Sequence, residues 1–263
     1  MVLGDHPEEA GMGAESGAGA DGGADGGAGG RADGGADSAA DSHWVRWHAP
    51  YEDPSTTLSQ RLRAVQSMVR AALDEIPGPD THPEPIRMVS LCAGQGRDVI
   101  DVVATHPRGS EVSALLVELD PALAAFARER AAAAGPGVAE RIRIVEGDAS
   151  QSHSYAGDVP ADIVLVCGVF GNISPADITH TIRAMRGFCV QGGHVVWTRH
   201  RRPPDLTPAI RADFADAGFT ELAFEAPEGT VMTVGHHRLD GPTAPFDPDR
   251  QLFDFVGDGW NPV

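Results

Sequence analysis

Val89-Ser90-Leu91-Cys92-Ala93-Gly94-Gln95-Gly96-Arg97-Asp98 sets the reading of this chain. An apolar run over 86–91 ends in a Gly-x-Gly turn, and a helix-like segment over 97–104 comes next. Strand, glycine turn and helix in that order form an entrance for a nucleotide-type ligand. Glycine lets the backbone approach a ligand closely. The helix start offers free N–H groups and a positive dipole end. A Gly-x-Gly alone is weak evidence in a chain with 32 glycines. The weight falls on the downstream strands and turns that stand in register with it.

A second strand is expected over 112–117, ending at Glu118-Leu119-Asp120-Pro121. Asp120 caps and Pro121 opens a helix to Ala134 that Gly135 stops. A third strand, 142–145, ends at Glu146-Gly147-Asp148-Ala149. A fourth, 162–166, ends at Cys167-Gly168-Val169-Phe170-Gly171-Asn172. Next come a helix from Ser174 to about Phe188, a fifth strand over 194–198 and a helix from Thr207. Two last strands, 221–226 and 230–236, read as a hairpin around Pro227-Glu228-Gly229. Strands alternating with helices predict a parallel α/β sheet with right-handed crossovers. Ligands of such sheets sit at the strands' carboxyl ends, where every polar cluster of this sequence falls.

Upstream, apolar residues at 58, 62, 65, 69, 72, 73 and 76 trace a helical stripe over 56–76, with Thr57 and Gln60 as a capping box. Before it, 43–54 is dense in aromatics and histidine, including Trp44, Trp47, His48 and Tyr51. This gives four segments: a Gly/Ala/Asp-rich tail (1–42), an N-terminal lid and helix (43–80), a ligand-binding core (81–243) and a C-terminal tail (244–263). The N-terminal tail repeats Ala-Asp-Gly-Gly and holds nine acids, one Arg and no aromatic. It cannot bury enough apolar surface to offset chain entropy and is expected to be disordered. The C-terminal tail carries Phe246, Leu252, Phe253, Phe255 and Trp260, and is open to docking on the domain or on a partner chain.

The formal net charge is −18, of which about −8 lies in the N-terminal tail. The remainder argues against a nucleic-acid binder that works by phosphate neutralisation. All 20 basic residues are Arg. Three widely spaced cysteines, Cys92, Cys167 and Cys189, give neither a disulfide framework nor a CxxC metal site. A reducing cytoplasm is expected. The acidic N-terminus lacks the basic region of a signal peptide, and no apolar run is long enough to span a bilayer. No metal site is expected.

With these elements in place, residues 86–240 resemble the class I S-adenosylmethionine-dependent methyltransferases. Leu91-Cys92-Ala93-Gly94-Gln95-Gly96 is similar to that family's glycine motif. Glu118 resembles the acid that binds the ribose hydroxyls, with Leu119 against adenine. Gly147-Asp148-Ala149 resembles the motif whose acid faces the adenine amino group. The resemblance implies a Rossmann-like, seven-stranded, mostly parallel sheet with an antiparallel last strand and helices on both faces. It implies S-adenosylmethionine as cofactor, held by Cys92, Ala93, Gly94, Gln95, Gly96, Glu118, Leu119, Asp148, Ala149 and Cys167. The residue chemistry agrees: two hydroxyls suit a bidentate carboxylate, and an exocyclic amine suits an acceptor.

Methyl transfer from a sulfonium is an in-line displacement, so the protein supplies mainly proximity and alignment. A base is needed only where the acceptor must lose a proton. Candidates at strand ends or in the lid are His200, Asn172, Tyr51 and His48, with His200 preferred because its intrinsic pKa suits the task. Arg199, Arg201 and Arg202 flank it and are open to two readings, an acidic-substrate clamp or a solvated cationic loop. Phe170-Gly171-Asn172-Ile173 departs from the Asn-Pro-Pro-Tyr type sequence of DNA and protein amino-methylating enzymes. With the negative charge, this points to a small molecule. Three rivals share the fold. An NAD-binding oxidoreductase would want a glycine or alanine where Val99 stands. An aminopropyltransferase would want an acidic pair, which is missing. A non-catalytic binding or regulatory module would want a degraded motif.

Overall fold

A computed structural model describes residues 51, 53–227 and 230–256. The N-terminal tail, the segment with Trp44, Trp47 and His48, the Glu228-Gly229 turn and Trp260 lie outside the described residues. The elements run α1 (Thr57–Glu75), β1 (Ile86–Leu91), α2 (Arg97–Thr105), β2 (Val112–Glu118), α3 (Pro121–Ala133), α4 (Pro136–Ala139), β3 (Ile142–Glu146) and β4 (Ala161–Val166). They continue with α5 (Pro175–Phe188), β5 (Cys189–His200), α6 (Thr207–Asp216), β6 (Phe219–Glu225) and β7 (Met232–Leu239).

The sheet order is β3-β2-β1-β4-β5-β7-β6. The first five strands are parallel, and β7 is antiparallel to both β5 and β6. This is the seven-stranded arrangement expected. The chain winds outward in one direction from β1 and in the other from β4, so a crevice opens where the order reverses. β1 alternates its side chains into two cores: Ile86 and Met88 pack with α1, α2 and α3, while Val89 and Leu91 pack with α5 and α6. Every residue of β4 is buried, as a strand covered on both faces must be.

Local chemistry sets the helix ends. Asp120 Oδ1 accepts from the Ala122 and Leu123 amides, and Pro121 opens α3. Ser174 Oγ caps α5 through the Asp177 amide. The cap of α1 is Thr56, whose hydroxyl accepts from Ser59 N–H, one residue earlier than the expected box on Thr57. The α1 helix is more than a lid. Its Val69, Ala72 and Leu73 are fully buried, each larger side chain worth about 1.5–3 kcal/mol. Only its first turns reach the crevice.

β5 outruns its expected span at both ends. It begins directly at the end of α5 and passes a register irregularity before settling against β4. At the other end it continues through Arg199 and His200, because β7 supplies partners there, Thr233 and Met232. A hydrophobic pattern could not show this extension, since the strand's last two residues are polar. The described part of the C-terminal tail docks on the domain. Leu252 and Phe253 are buried, Leu252 N–H donates to Ser150 O, and Val256 N–H donates to Asn172 O.

Candidate functional site

The carboxyl ends of β1, β2, β4 and β5 open on one cavity of about 840 Å³. Of the fourteen candidate residues read from sequence, His48 lies outside the described residues and twelve line the cavity: Tyr51, Cys92, Ala93, Gly94, Gln95, Glu118, Leu119, Asp148, Ala149, Cys167, Asn172 and His200. Gly96 does not. It caps α2 at φ +66°, and a Cβ there would stand 2.7 Å from Ile100 Cδ1 and 2.8 Å from Leu116 Cδ2. Its placement is that of a packing glycine, which lets α2 seat against β2.

The turn after β1 holds Cys92, Gly94 and Gly96 at φ +50°, +56° and +66°. A non-glycine residue in this region costs about 1–2 kcal/mol, so Cys92 stores strain beside the cavity. Burial pushes its thiol up, with Glu118 and Asp148 adding to the effect. Burial likewise pushes Cys167 well up. Both remain thiols at neutral pH, which suits apolar wall groups and not nucleophiles.

Glu118 ends β2, and its carboxylate ties the two neighbouring turns together. Oε2 accepts from Gly94 N–H at 2.7 Å and Oε1 from Asp120 N–H at 2.9 Å. Burial raises its pKa against these two hydrogen bonds. Each oxygen keeps capacity for a second donor. Asp148 Oδ1 accepts from Ser150 N–H at 2.8 Å. Tyr155, fully buried, pins the same turn by donating to Ala149 O. Leu119 is 67% exposed, an apolar side chain on the cavity rim.

Asp98 is the residue that sequence reading passed over. It stands in the first turn of α2, lines the cavity, and has one carboxylate oxygen buried without a partner. Burial pushes its pKa up to about 6, with Arg61 opposing. Its only signal in the sequence was position, two residues after the last glycine of the turn, where an acid also serves as an ordinary helix-start residue.

The other side of the cavity is built from β4, β5, β7, α1 and the docked C-terminal segment. Thr198 Oγ1 accepts from Gly168 N–H at 2.8 Å and shapes the turn after β4. Asn172 donates from Nδ2 to Gly168 O at 2.6 Å. His200 ends β5, and its Nδ1 accepts from Arg202 N–H at 3.3 Å. Burial lowers its pKa, with Arg199 and Arg202 adding to the effect, so the ring is neutral at physiological pH. The bond at Nδ1 selects the tautomer that carries its proton on Nε2. Tyr51 lies instead at the α1–α2 corner: Arg97 stacks on its ring at 5.6 Å, and Arg61 donates to its hydroxyl.

Comparison with known proteins agrees with the fold. Residues 89–195 match a family model described as a methyltransferase domain. Among solved structures, the chain is similar to magnesium protoporphyrin IX methyltransferase from Synechocystis PCC 6803 with bound SAM (13% identity, 73% of this chain and 89% of that one, TM-score 0.53). It is also similar to Burkholderia thailandensis 1,6-didemethyltoxoflavin-N1-methyltransferase with bound 1,6-didemethyltoxoflavin and S-adenosylhomocysteine (15%, 75% and 87%, TM-score 0.51). A third is the [4+2]-cyclase SpnF (12%, 73% and 86%, TM-score 0.54). At these identities the likeness is one of fold. No curated protein matches the chain.

Proposed function

We propose that the chain is a class I S-adenosylmethionine-dependent methyltransferase and that it methylates an oxygen or nitrogen of a small molecule. The family's cofactor is S-adenosylmethionine. The observation that carries the proposal is the convergence of the Cys92–Gly94 turn, Glu118, Leu119 and Asp148 on one cavity large enough for a second molecule. Pockets of about 300–1,000 Å³ hold drug-sized ligands.

The residues fit the cofactor. Glu118 has acceptor capacity for a ribose diol, Leu119 and Ala149 would flank an adenine, and Asp148 would accept from its amino group. The glycine turn would let the amino-acid end come close, and Asp98 on the cavity wall would supply a counter-charge to its ammonium. Gln95, Ala93, Cys92 and Cys167 complete the wall. The bound cofactor supplies a methyl group on a sulfonium, whose thioether leaving group departs without help from an acid. The chain's own part is alignment and exclusion of water. Asn172 is held by Gly168, which leaves its Oδ1 to accept from an acceptor's O–H or N–H and aim a lone pair. His200 offers Nε2–H to the cavity, so it orients the acceptor as a donor. This replaces the general-base role that its intrinsic pKa suggested. Tyr51, held by Arg97 and Arg61 on the cavity wall, is proposed to close over the cofactor. No helix among the described residues is long and apolar enough to cross a membrane. The three free cysteines fit work in the reducing cytoplasm.

Calorimetric titration with S-adenosylmethionine, S-adenosylhomocysteine and NAD tests the reading. Micromolar binding of the first two and none of NAD is expected. Binding of NAD alone would overturn it and restore the oxidoreductase alternative.

A further inference from the structure

The Arg199-His200-Arg201-Arg202 run is two different things in the folded protein. Arg201 does not line the cavity; it turns back to the β7 end, with its amide on Val231 O and Nη2 on Thr230 O. Arg199 and Arg202 both line the cavity, on either side of His200. Arg199 is only 7% exposed, an expensive place for a cation without a partner. Its Nη1 donates to Phe170 O, and its Nε is sealed in the protein with no acceptor. No carboxylate among the described residues pairs with either guanidinium. Asp205 acts on Arg199 electrostatically, but its Oδ1 is taken up by the Thr207 amide and hydroxyl. His200 adds Nε2–H to the same corner.

Beside this basic corner lies an apolar wall. Among the described residues the large apolar side chains left exposed are Leu119, Val231, Phe255 and Val256. Phe255 and Val256, each 51% exposed, are delivered to the cavity by the docked C-terminal segment, and Met232 of β7 lines it too. The backbone bridge Ile173–Phe255 and the Val256–Asn172 hydrogen bond fasten that wall to the turn after β4. Exposed apolar groups gathered at a cavity mark a ligand surface.

We propose that the acceptor is an amphiphilic organic acid, its anion seated on Arg199, Arg202 and His200 Nε2 and its apolar body against Met232, Phe255 and Val256. This rests on the methyltransferase reading of the other half of the cavity. Guanidinium groups hold carboxylates and phosphates through charge-assisted hydrogen bonds, and a desolvated corner strengthens them. The two anions share this chemistry, and the probes distinguish them.

The test uses the full chain saturated with S-adenosylhomocysteine. Octanoate, cinnamate, indole-3-acetate and phenyl phosphate are titrated against octanamide, cinnamamide, indole-3-acetamide and phenol. At least one acid should bind, and its neutral counterpart at least tenfold more weakly. Arg202→Gln should weaken the acid at least tenfold while S-adenosylhomocysteine affinity stays within twofold. Arg199→Gln should do the same; it also removes the bond to Phe170 O, so Arg202→Gln, at a less buried site, is the deciding variant. Equal binding of acid and neutral counterpart, no binding of any acid, or an acid affinity indifferent to Arg202→Gln would overturn the inference. Failure of S-adenosylhomocysteine to bind would instead overturn the cofactor reading, and the acid preference would then be measured on the unliganded protein.

Discussion

The two halves of the cavity are built by different means. The half at β1–β3 is made of consecutive residues after each strand: a turn with three positive φ angles, a carboxylate at the end of β2, and an Asp-Ala pair after β3. Its strand-end carboxylates are Glu118 and Asp148. The half at β4, β5 and β7 gathers basic and apolar side chains from α1, two strand ends and a C-terminal segment some 50 residues beyond β5. On the proposed function, the first half recognises the cofactor through backbone shape. The second presents side chains that can differ without disturbing the sheet. Binding and catalytic residues favour such positions on a rigid scaffold.

Four substitutions and a pH series can break or sharpen this contrast. The largest effect is expected at Glu118→Ala, which removes the acceptor shared by Gly94, Asp120 and the ribose. Charge-assisted hydrogen bonds contribute about 1.5–3 kcal/mol each, so S-adenosylhomocysteine affinity should fall roughly 100-fold by calorimetry. Unchanged affinity would remove Glu118 from the cofactor half. Gly235→Ala probes the other half through its support. A Cβ there would stand 2.3 Å from Trp197 Cε2 in the core of the sheet. Overpacking of this kind costs about 1–3 kcal/mol, read as a lower urea midpoint, and cofactor affinity measured below the transition should hold.

The pH series reads three histidines under the same half. His194 Nδ1 and His236 Nε2 lie 2.9 Å apart, and Trp197 donates to His237 Nδ1 at 3.1 Å. Burial pushes each down to about 4, with Arg238, His194 and His236 among the further causes. The unfolded chain, with ordinary values near 6.5, binds more protons between these limits. Stability is therefore full above about pH 6.5 and falls toward pH 4, by on the order of a few kcal/mol. A urea midpoint that stays flat from pH 7 to pH 5 contradicts this.

Asp98→Asn separates stability from binding. Burial raises Asp98, so its charge opposes folding at neutral pH, and the amide should raise Tm by a degree or more, corresponding to about 1 kcal/mol. Cofactor affinity should fall several-fold with loss of the counter-charge. If both properties are unchanged, Asp98 has no place in the cofactor half. The smallest effect is expected at Phe255→Ala. An exposed side chain contributes little to stability, about 0.5 kcal/mol or less. The change should appear as a raised KM for the acceptor, with S-adenosylhomocysteine binding intact.

Much of the fold and of the cofactor half is legible in the sequence. Apolar runs of four to eight residues, stopped by glycines and acids, mark the strands. Asp120-Pro121 and Ser174-Pro175 mark two helix starts, because capping is a contest settled among neighbours. Gly96 falls in the right turn but with the wrong partner: its lack of a side chain serves Leu116 and Ile100, which only the packing of α2 on β2 brings near. Asp98 escapes because a carboxylate in a helix's first turn is ordinary until burial removes its solvent.

The sequence by itself therefore determined the order of elements, the direction of the sheet and the glycine-acid half of the site. All three arise from periodicity and from contacts within a few residues. Tertiary structure alone decided that Arg199 and Arg202 face the cavity while Arg201 turns away. β7 pairs β5 as far as His200, and just beyond the strand the Arg201 amide and guanidinium are taken up by Val231 O and Thr230 O. It also decided that residues 244–256 wrap back to set Phe255 and Val256 at the rim. That outcome depends on buried area between segments far apart in the chain, which no local pattern encodes.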